Sequence, residues 1–215
     1  MWRVQEEERR RIARELHDGI GQNLTALKHT LALIGSAAGG NAQLRGSVED
    51  ALALCSRTLQ ETRELSRLLR PQILDDLGLG PALNWLARTL AADGGPEIVV
   101  EFGAGEDIDG DLRTLVFRVV QEALTNVVRH AAASHAIVRV DRVDDALEVL
   151  VWDDGVGCDR AGALETGSAG LSSGVSGMRE RVAMHGGQLQ FESAPGQGCR
   201  VRCSIPLSPA GEPPR

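Results

Sequence analysis

Apolar residues fall at Ile12, Leu16, Ile20, Leu24, Leu27, Leu31 and Ile34, in steps of three and four, so the stretch from about Gln5 to Ile34 predicts an amphipathic helix. Gly35 to Ser47 is rich in Gly, Ala, Ser and Asn and predicts an interhelical turn. A second stripe runs Val48, Leu52, Cys55, Leu59, Thr62, Leu65/Ser66 and Leu69, and Pro71 stops it, because proline supplies no backbone N–H and clashes with the preceding turn. One narrow stripe on each of two long helices leaves an isolated hairpin poorly buried. Pairing with a second copy into a four-helix bundle solves that problem, so a homodimer is expected on packing grounds.

Beyond Pro71 the pattern changes. Pro81 to about Ala92 and Leu112 to Ala131 predict helices, and Gly177 to His185 a short one. Glu97–Phe102, Ala136–Val143, Leu147–Trp152, Gln188–Ser193 and Arg200–Ile205 alternate or run apolar as strands, with a turn at Asp144-Asp145 joining two of them. Helices beside a mostly antiparallel sheet define an α+β fold: an N-terminal helical hairpin, then a two-layer α/β sandwich. The expected organisation is a hairpin over 1–70, a connector over 71–80, a sandwich over 81–207 and a disordered tail over 208–215.

Composition narrows the function. A net charge of −7 over 215 residues argues against a dedicated nucleic-acid binder, which carries a basic excess. The four cysteines, Cys55, Cys158, Cys199 and Cys203, lack metal-ligand spacing and read as reduced cytosolic thiols. No apolar run approaches the ~20 residues of a membrane span, so a cytoplasmic protein, or the cytoplasmic part of a membrane-anchored one, is expected.

Three segments carry candidate chemistry. Glu122, Asn126 and His130 are four apart on one side of the Leu112–Ala131 helix; an acid and an amide so placed suit a hydrated magnesium ion, which takes oxygen ligands. Val149–Trp152 runs into Asp153, Gly155 and Gly157, where a carboxylate at a strand end can accept from an exocyclic amine and glycines let backbone approach a ligand. A Gly/Ser-rich run from Gly162 to Gly177 (Gly167, Gly170, Gly174, Gly177) then opens a helix whose N–H groups could face phosphate. Singly, these read as easily as a solvated helix face, an Asp-Gly turn and a loop; in order they are far more specific. Upstream, His17, Asp18 and Gln22 sit on the first helix.

His17-Asp18-x-x-x-Gln22 resembles the phosphoacceptor motif of two-component sensor histidine kinases whose partners are response regulators of the NarL/LuxR type. Glu122-x-x-x-Asn126, with His130-Ala131 after it, is similar to that family's N box, Asp153-x-Gly155-x-Gly157 to its G1 box, and the segment from Gly174 through Gly177 to Val182 to its G2 box. Ser193-x-Pro195-Gly196-Gln197-Gly198 resembles the region closing the domain, and Arg70-Pro71 through Leu79 the connector; the likeness runs from about Glu6 to Leu207. One position departs: the family usually carries glycine two residues before Gly174, where this chain has Ser172.

The resemblance implies an ATP- and Mg²⁺-dependent kinase that phosphorylates His17 and passes the phosphoryl group to an aspartate of a receiver domain. Neutral imidazole is the nucleophile, because protonation removes its lone pair. Asp18 would orient the ring or take its proton. Glu122 and Asn126 would hold Mg²⁺; Arg129, His130, Asp153, Gly155, Gly157, Gly174 and Gly177 would hold the nucleotide. Gln22 is implied in positioning water for dephosphorylation of the regulator. Two other readings stay open from the residues alone: a non-catalytic scaffold that binds regulator and nucleotide, and an ATPase or serine kinase of the same nucleotide-binding superfamily, which would have no need of the His17 hairpin.

Overall fold

The computed structural model describes residues 2–37, 41–69, 72–158 and 169–207, and the chain divides into two compact units, Met1–Gln72 and Ile73–Arg215. The expected tail at 208–215 lies outside the described residues, as does the first part of the Gly/Ser-rich run, 159–168.

The first unit is a helical hairpin. Its first arm is α1 (Trp2–Glu15), a six-residue π-turn (Leu16–Gly21) and α2 (Gln22–Ala37); its second is α3 (Ala42–Leu69). The break between arms is therefore shorter than the composition of Gly35–Ser47 suggests. Asn41 explains the early restart: its Oδ1 accepts the Leu44 backbone N–H at 3.0 Å, capping α3. The arms interlock along the α3 stripe. Val48 is buried against Gly35, where an added Cβ would meet Val48 Cγ1 at 3.1 Å, and the buried Cys55 thiol donates to the Leu24 carbonyl at 3.4 Å. Leu59 and Thr62 of α3 and Glu6 and Ala13 of α1 are also buried, while the side chains of residues 63–69 lie outside the described ones. On α1, Arg11 pairs with Glu8 and Glu15 on a solvated face.

The second unit is a two-layer sandwich. Helix α4 (Gln72–Asp76) leads to α5 (Leu79–Leu90), β1 (Glu97–Phe102), α6 (Gly110–Asn126) extended by a second π-turn (Val127–Ala131), β2 (His135–Val143), β3 (Ala146–Asp153), α7 (Ala169–Met184), β4 (Gln188–Ser193) and β5 (Cys199–Pro206). The sheet order is β1-β2-β3-β5-β4; β1 and β2 are parallel with α6 as their crossover, and every other pairing is antiparallel. Alternation sends Val138, Val140, Leu147, Val149, Val151, Val201 and Ile205 to one face, where they are buried beneath Leu83 and Leu86 of α5, Leu115, Val119 and Leu124 of α6, and Met178 and Val182 of α7. Gly80 lets α5 approach closely, since a Cβ there would sit 2.9 Å from the Phe102 ring. Helix α7 begins eight residues before the expected Gly177, so part of the glycine-rich run is helical.

Candidate active site

The site is built at one end of the sandwich, where α6, the ends of β3 and β5 and the start of α7 converge. Asn126, His130, Asp153, Gly157 and Val175 line one open cleft of about 540 Å³, with Val151, Phe191 and Val201 as its apolar floor. The N-terminus of α6 is fixed by Asp109, whose side chain accepts the Asp111 N–H at 2.9 Å, and the buried residues Leu112 to Val120 set the rotation of the helix on the sheet. At Val127 the helix under-winds into the π-turn. Each bond there closes one residue later than in an α-turn, and Asn126 and His130, four apart, both line the cleft. Glu122 is not part of the cleft lining. It lies against α7, where a Cβ on Gly174 would come within 2.3 Å of its Oε1, so a side chain there would make the Glu122 carboxylate shift. Arg129 is exposed and Gly177 lies further along α7, its carbonyl accepting from Arg181 Nε at 2.8 Å.

Asp153 is the buried polar centre of the cleft, only 2% exposed. Its Oδ1 accepts the Gly155 N–H at 2.9 Å and its carboxylate also takes a backbone bond from Cys199. Burial outweighs these bonds and pushes the carboxyl above its ordinary 3.8. The glycines around it are there for contact. At Gly155 a Cβ would meet the Ala131 carbonyl at 2.3 Å, which accepts the Val156 N–H at 2.8 Å, and this clamps the loop to the end of α6. Gly157 (φ +63°) and Gly198 (φ +68°) close the other side: their added Cβ atoms would lie 2.0 Å from the Ala194 carbonyl and 1.9 Å from the Asp153 carbonyl. The loop after β3 and the β4–β5 turn therefore interlock backbone to backbone.

Two features of this end escape motif reading. Asp154, next to the motif acid, accepts the backbone N–H groups of Ser134 (2.8 Å) and His135 (2.9 Å) and the His135 ring at 3.0 Å, tying the β3 end to the start of β2. That ring is raised above 6.5, first by the Asp154 bond, while Asp154 is held below 3.8 by the same partners. Cys158 and Cys199 also line the cleft. A pair of adjacent acids was the visible signal for Asp154; for the thiols, only the odd-numbered alternation that puts Cys199 on the face of Val201 and Cys203 was legible.

The remaining candidates lie in the hairpin. The backbones of His17 and Asp18 are in the Leu16–Gly21 π-turn, and Gln22 opens α2 directly after it. Asp18 and Gln22 are exposed; the His17 side chain lies outside the described ones. A Cβ added at Gly19 would meet nothing within 4 Å, and one at Gly21 only the Leu16 carbonyl at 3.8 Å, so the approach to this turn is open within the hairpin.

Two family models cover most of the chain: a histidine kinase model matches residues 8–74, and that of the histidine kinase-, DNA gyrase B- and HSP90-like ATPases matches residues 111–209. A sensor histidine kinase of Rhizobium johnstonii, MctS, is 37% identical over 199 residues, 89% of this chain and 41% of its own length. The signal transduction histidine-protein kinase/phosphatase DegS of Brevibacillus brevis is 36% identical over 211 residues, 95% of this chain and 53% of its own. The chain thus spans about half or less of the length of these relatives. The histidine kinase domain from the Erythrobacter litoralis EL346 blue-light activated histidine kinase shares the fold, with a TM-score of 0.55, 22% identity, and coverage of 89% of this chain and 100% of that one. With a histidine kinase domain followed by an ATPase-family domain, this chain belongs to the histidine kinase family. No described helix is long and apolar enough to cross a membrane.

Proposed function

We propose that the chain binds Mg²⁺-ATP in the α6–β3–α7 cleft, autophosphorylates His17, and passes the phosphoryl group to an aspartate of a response regulator of the NarL/LuxR type. The observation that carries this is the cleft itself: a buried carboxylate at an apolar floor, with Asn126 and His130 at its edge. The donor set fits the nucleotide. Asp153 spends one oxygen on Gly155 and offers acceptor capacity to an exocyclic amine, and Val151, Phe191 and Val201 suit the faces of a planar base. Glu122 and Asn126, one turn apart, would hold the magnesium ion, which supplies charge neutralisation at the phosphates. Gly174 and Gly177 would bring α7 close to the phosphates, and Gly155 and Gly157 keep the loop backbone tight behind the base. Arg129 and His130 supply donors at the phosphate end.

In the hairpin, a ring nitrogen of neutral His17 attacks the γ-phosphorus while the bond to the β–γ bridging oxygen breaks and ADP leaves. Asp18, adjacent, orients the ring or takes its proton. The π-turn supports this role, since such turns recur at functional sites. Gln22, one turn on, positions water for the reverse duty, dephosphorylating the regulator. On this reading residues 1–70 are the dimerisation and phosphoacceptor hairpin, 71–80 the connector and 81–207 the ATP-binding domain. A homodimer is supported by the first arm: α2 has no buried residue in a single copy, and Ile20 of the π-turn with Leu27 and Ile34 of α2, seven apart, are 46%, 49% and 44% exposed. ATP titration of the wild-type protein against Asn126→Ala and Asp153→Asn tests the cleft; loss of binding in neither variant would refute it.

A further inference from the structure

Phosphoryl transfer makes no use of the two thiols in the cleft wall. Cys158 and Cys199 line the same cleft as Asp153 and Asn126, and both are partly exposed, whereas Cys55 and Cys203 are buried. One hydroxyl holds the two together. Ser193 Oγ accepts the Cys158 N–H at 2.8 Å, contacts Cys199 Sγ at 3.1 Å, and donates its single proton to the Gly198 carbonyl at 2.9 Å. The Cys199 S–H is therefore the donor to Ser193. The Cys158 side chain is itself among the hydrogen-bonding neighbours acting on the Cys199 thiol.

We infer that Cys158 and Cys199 form a redox couple: a peroxide converts them to a disulfide that closes the cleft to ATP, and a thiol reductant reopens it. The inference rests on the nucleotide reading of the cleft. Cys158 sulfur attacks one peroxide oxygen, the O–O bond breaks, and the thiol proton leaves with the second oxygen as water, giving a sulfenic acid. Cys199 sulfur then attacks that sulfur, the S–S bond forms, the S–O bond breaks and hydroxide departs with the Cys199 proton as a second water. The two sulfurs give up two electrons in all and the peroxide takes them. Burial pushes the Cys199 thiol up to about 11, so it is slow to react with peroxide directly, and it is the resolving partner because it lies beside Cys158 across the Ser193 hydroxyl. Cytosolic disulfides of this kind are reversible and redox-sensing rather than structural.

The consequence for the cleft follows from the packing. A disulfide holds two sulfurs at about 2.05 Å, which draws Cys158 toward β5. Its neighbour Gly157 has no slack, being locked against the Ala194 and Gly198 carbonyls, so the displacement passes into the loop that carries Gly155 and frames Asp153.

The test uses the full chain, reduced and then treated with hydrogen peroxide, quenched with iodoacetamide, and read by intact mass and peptide mapping. The expected result is a loss of two hydrogens within one chain and a Cys158 peptide linked to a Cys199 peptide. Affinity for a fluorescent ATP analogue falls about tenfold, the scale of one misfit forced on a packed site, and returns with dithiothreitol. Cys158→Ser and Cys199→Ser each abolish this response to peroxide, whatever their own starting affinity. A linkage to Cys55 or Cys203, a linkage between chains, no linkage, or unchanged affinity in the linked protein overturns the inference. Failure of the reduced protein to take up the analogue refutes instead the nucleotide reading, while the peptide map still decides the thiol pair.

Discussion

Asp153→Asn separates a binding role for this residue from a structural one, because the two predict opposite changes in stability. Folding buries the carboxylate to 2% exposure, and burial raises its pKa above 3.8 despite two backbone donors. A carboxyl raised on folding holds its proton more tightly in the native state. Native stability therefore declines as pH rises from 3.8 through the folded value, and at neutral pH the ionised group is a net burden on the fold. Asparagine removes the charge and keeps a carbonyl oxygen for the backbone donors at Gly155 and Cys199, and because burial outweighs those bonds the unliganded variant should melt at the same temperature or higher. Binding moves the other way. The amide NH₂ turns a donor toward the exocyclic amine that the carboxylate would accept, losing one hydrogen bond to a charged group. That is about 1.5–3 kcal/mol, or roughly 10- to 150-fold weaker ATP binding. Calorimetric titration with ATP, paired with thermal unfolding in its absence, reads both quantities on one sample. A variant that binds within about threefold of wild type, or that loses stability together with binding, would refute the reasoning.

Other consequences are as direct. Gly198→Ala combines a left-handed backbone with a Cβ 1.9 Å from the Asp153 carbonyl; a cost of about 3 kcal/mol and a fall in Tm of roughly 10 °C is expected for the sandwich in differential scanning calorimetry. His135, raised above 6.5 by Asp154, contributes stability that is complete below 6.5 and is lost as pH rises through its folded value. The Tm of the wild type should therefore decline across that window more than the Tm of His135→Gln, and parallel pH profiles would contradict the Asp154 clamp. Leu27→Asp with Ile34→Asp puts two charges on the exposed stripe of α2 and should convert a dimer to a monomer by analytical ultracentrifugation. A monomeric wild type would contradict the bundle.

Much of this architecture was legible in the residue pattern. The α+β class, the five strands and the placement of Asn126, His130, Asp153 and Gly157 at one cleft follow from periodicity and from the order of motifs, because each motif closes an element whose buried face is unambiguous. What escaped was local. The apolar steps through Leu16 and Ile20 continue across the π-turn, so the presence of apolar residues at three- and four-residue steps does not by itself announce the under-wound turn. The same holds at Val127–Ala131, where the spacing of Asn126 and His130 does not announce the under-wound turn, nor the approach of Glu122 to Gly174. The start of α7 was hidden because Gly170, Ser172, Ser173 and Gly174 have weak helix propensity. The length of the hairpin turn depends on one cap, Asn41, within a run of residues that all favour loops. The pairing of Cys158 with Cys199 depends on strand register and the Ser193 hydroxyl, which join positions far apart in the chain.

The central claim is that phosphate from ATP reaches His17. The direct measurement is autophosphorylation with γ-labelled ATP and Mg²⁺, comparing wild type with His17→Gln and testing the label in acid and alkali. Label that is acid-labile, alkali-stable and absent from His17→Gln is the predicted result. Label that survives the substitution, or no label on a chain that binds ATP, would contradict it.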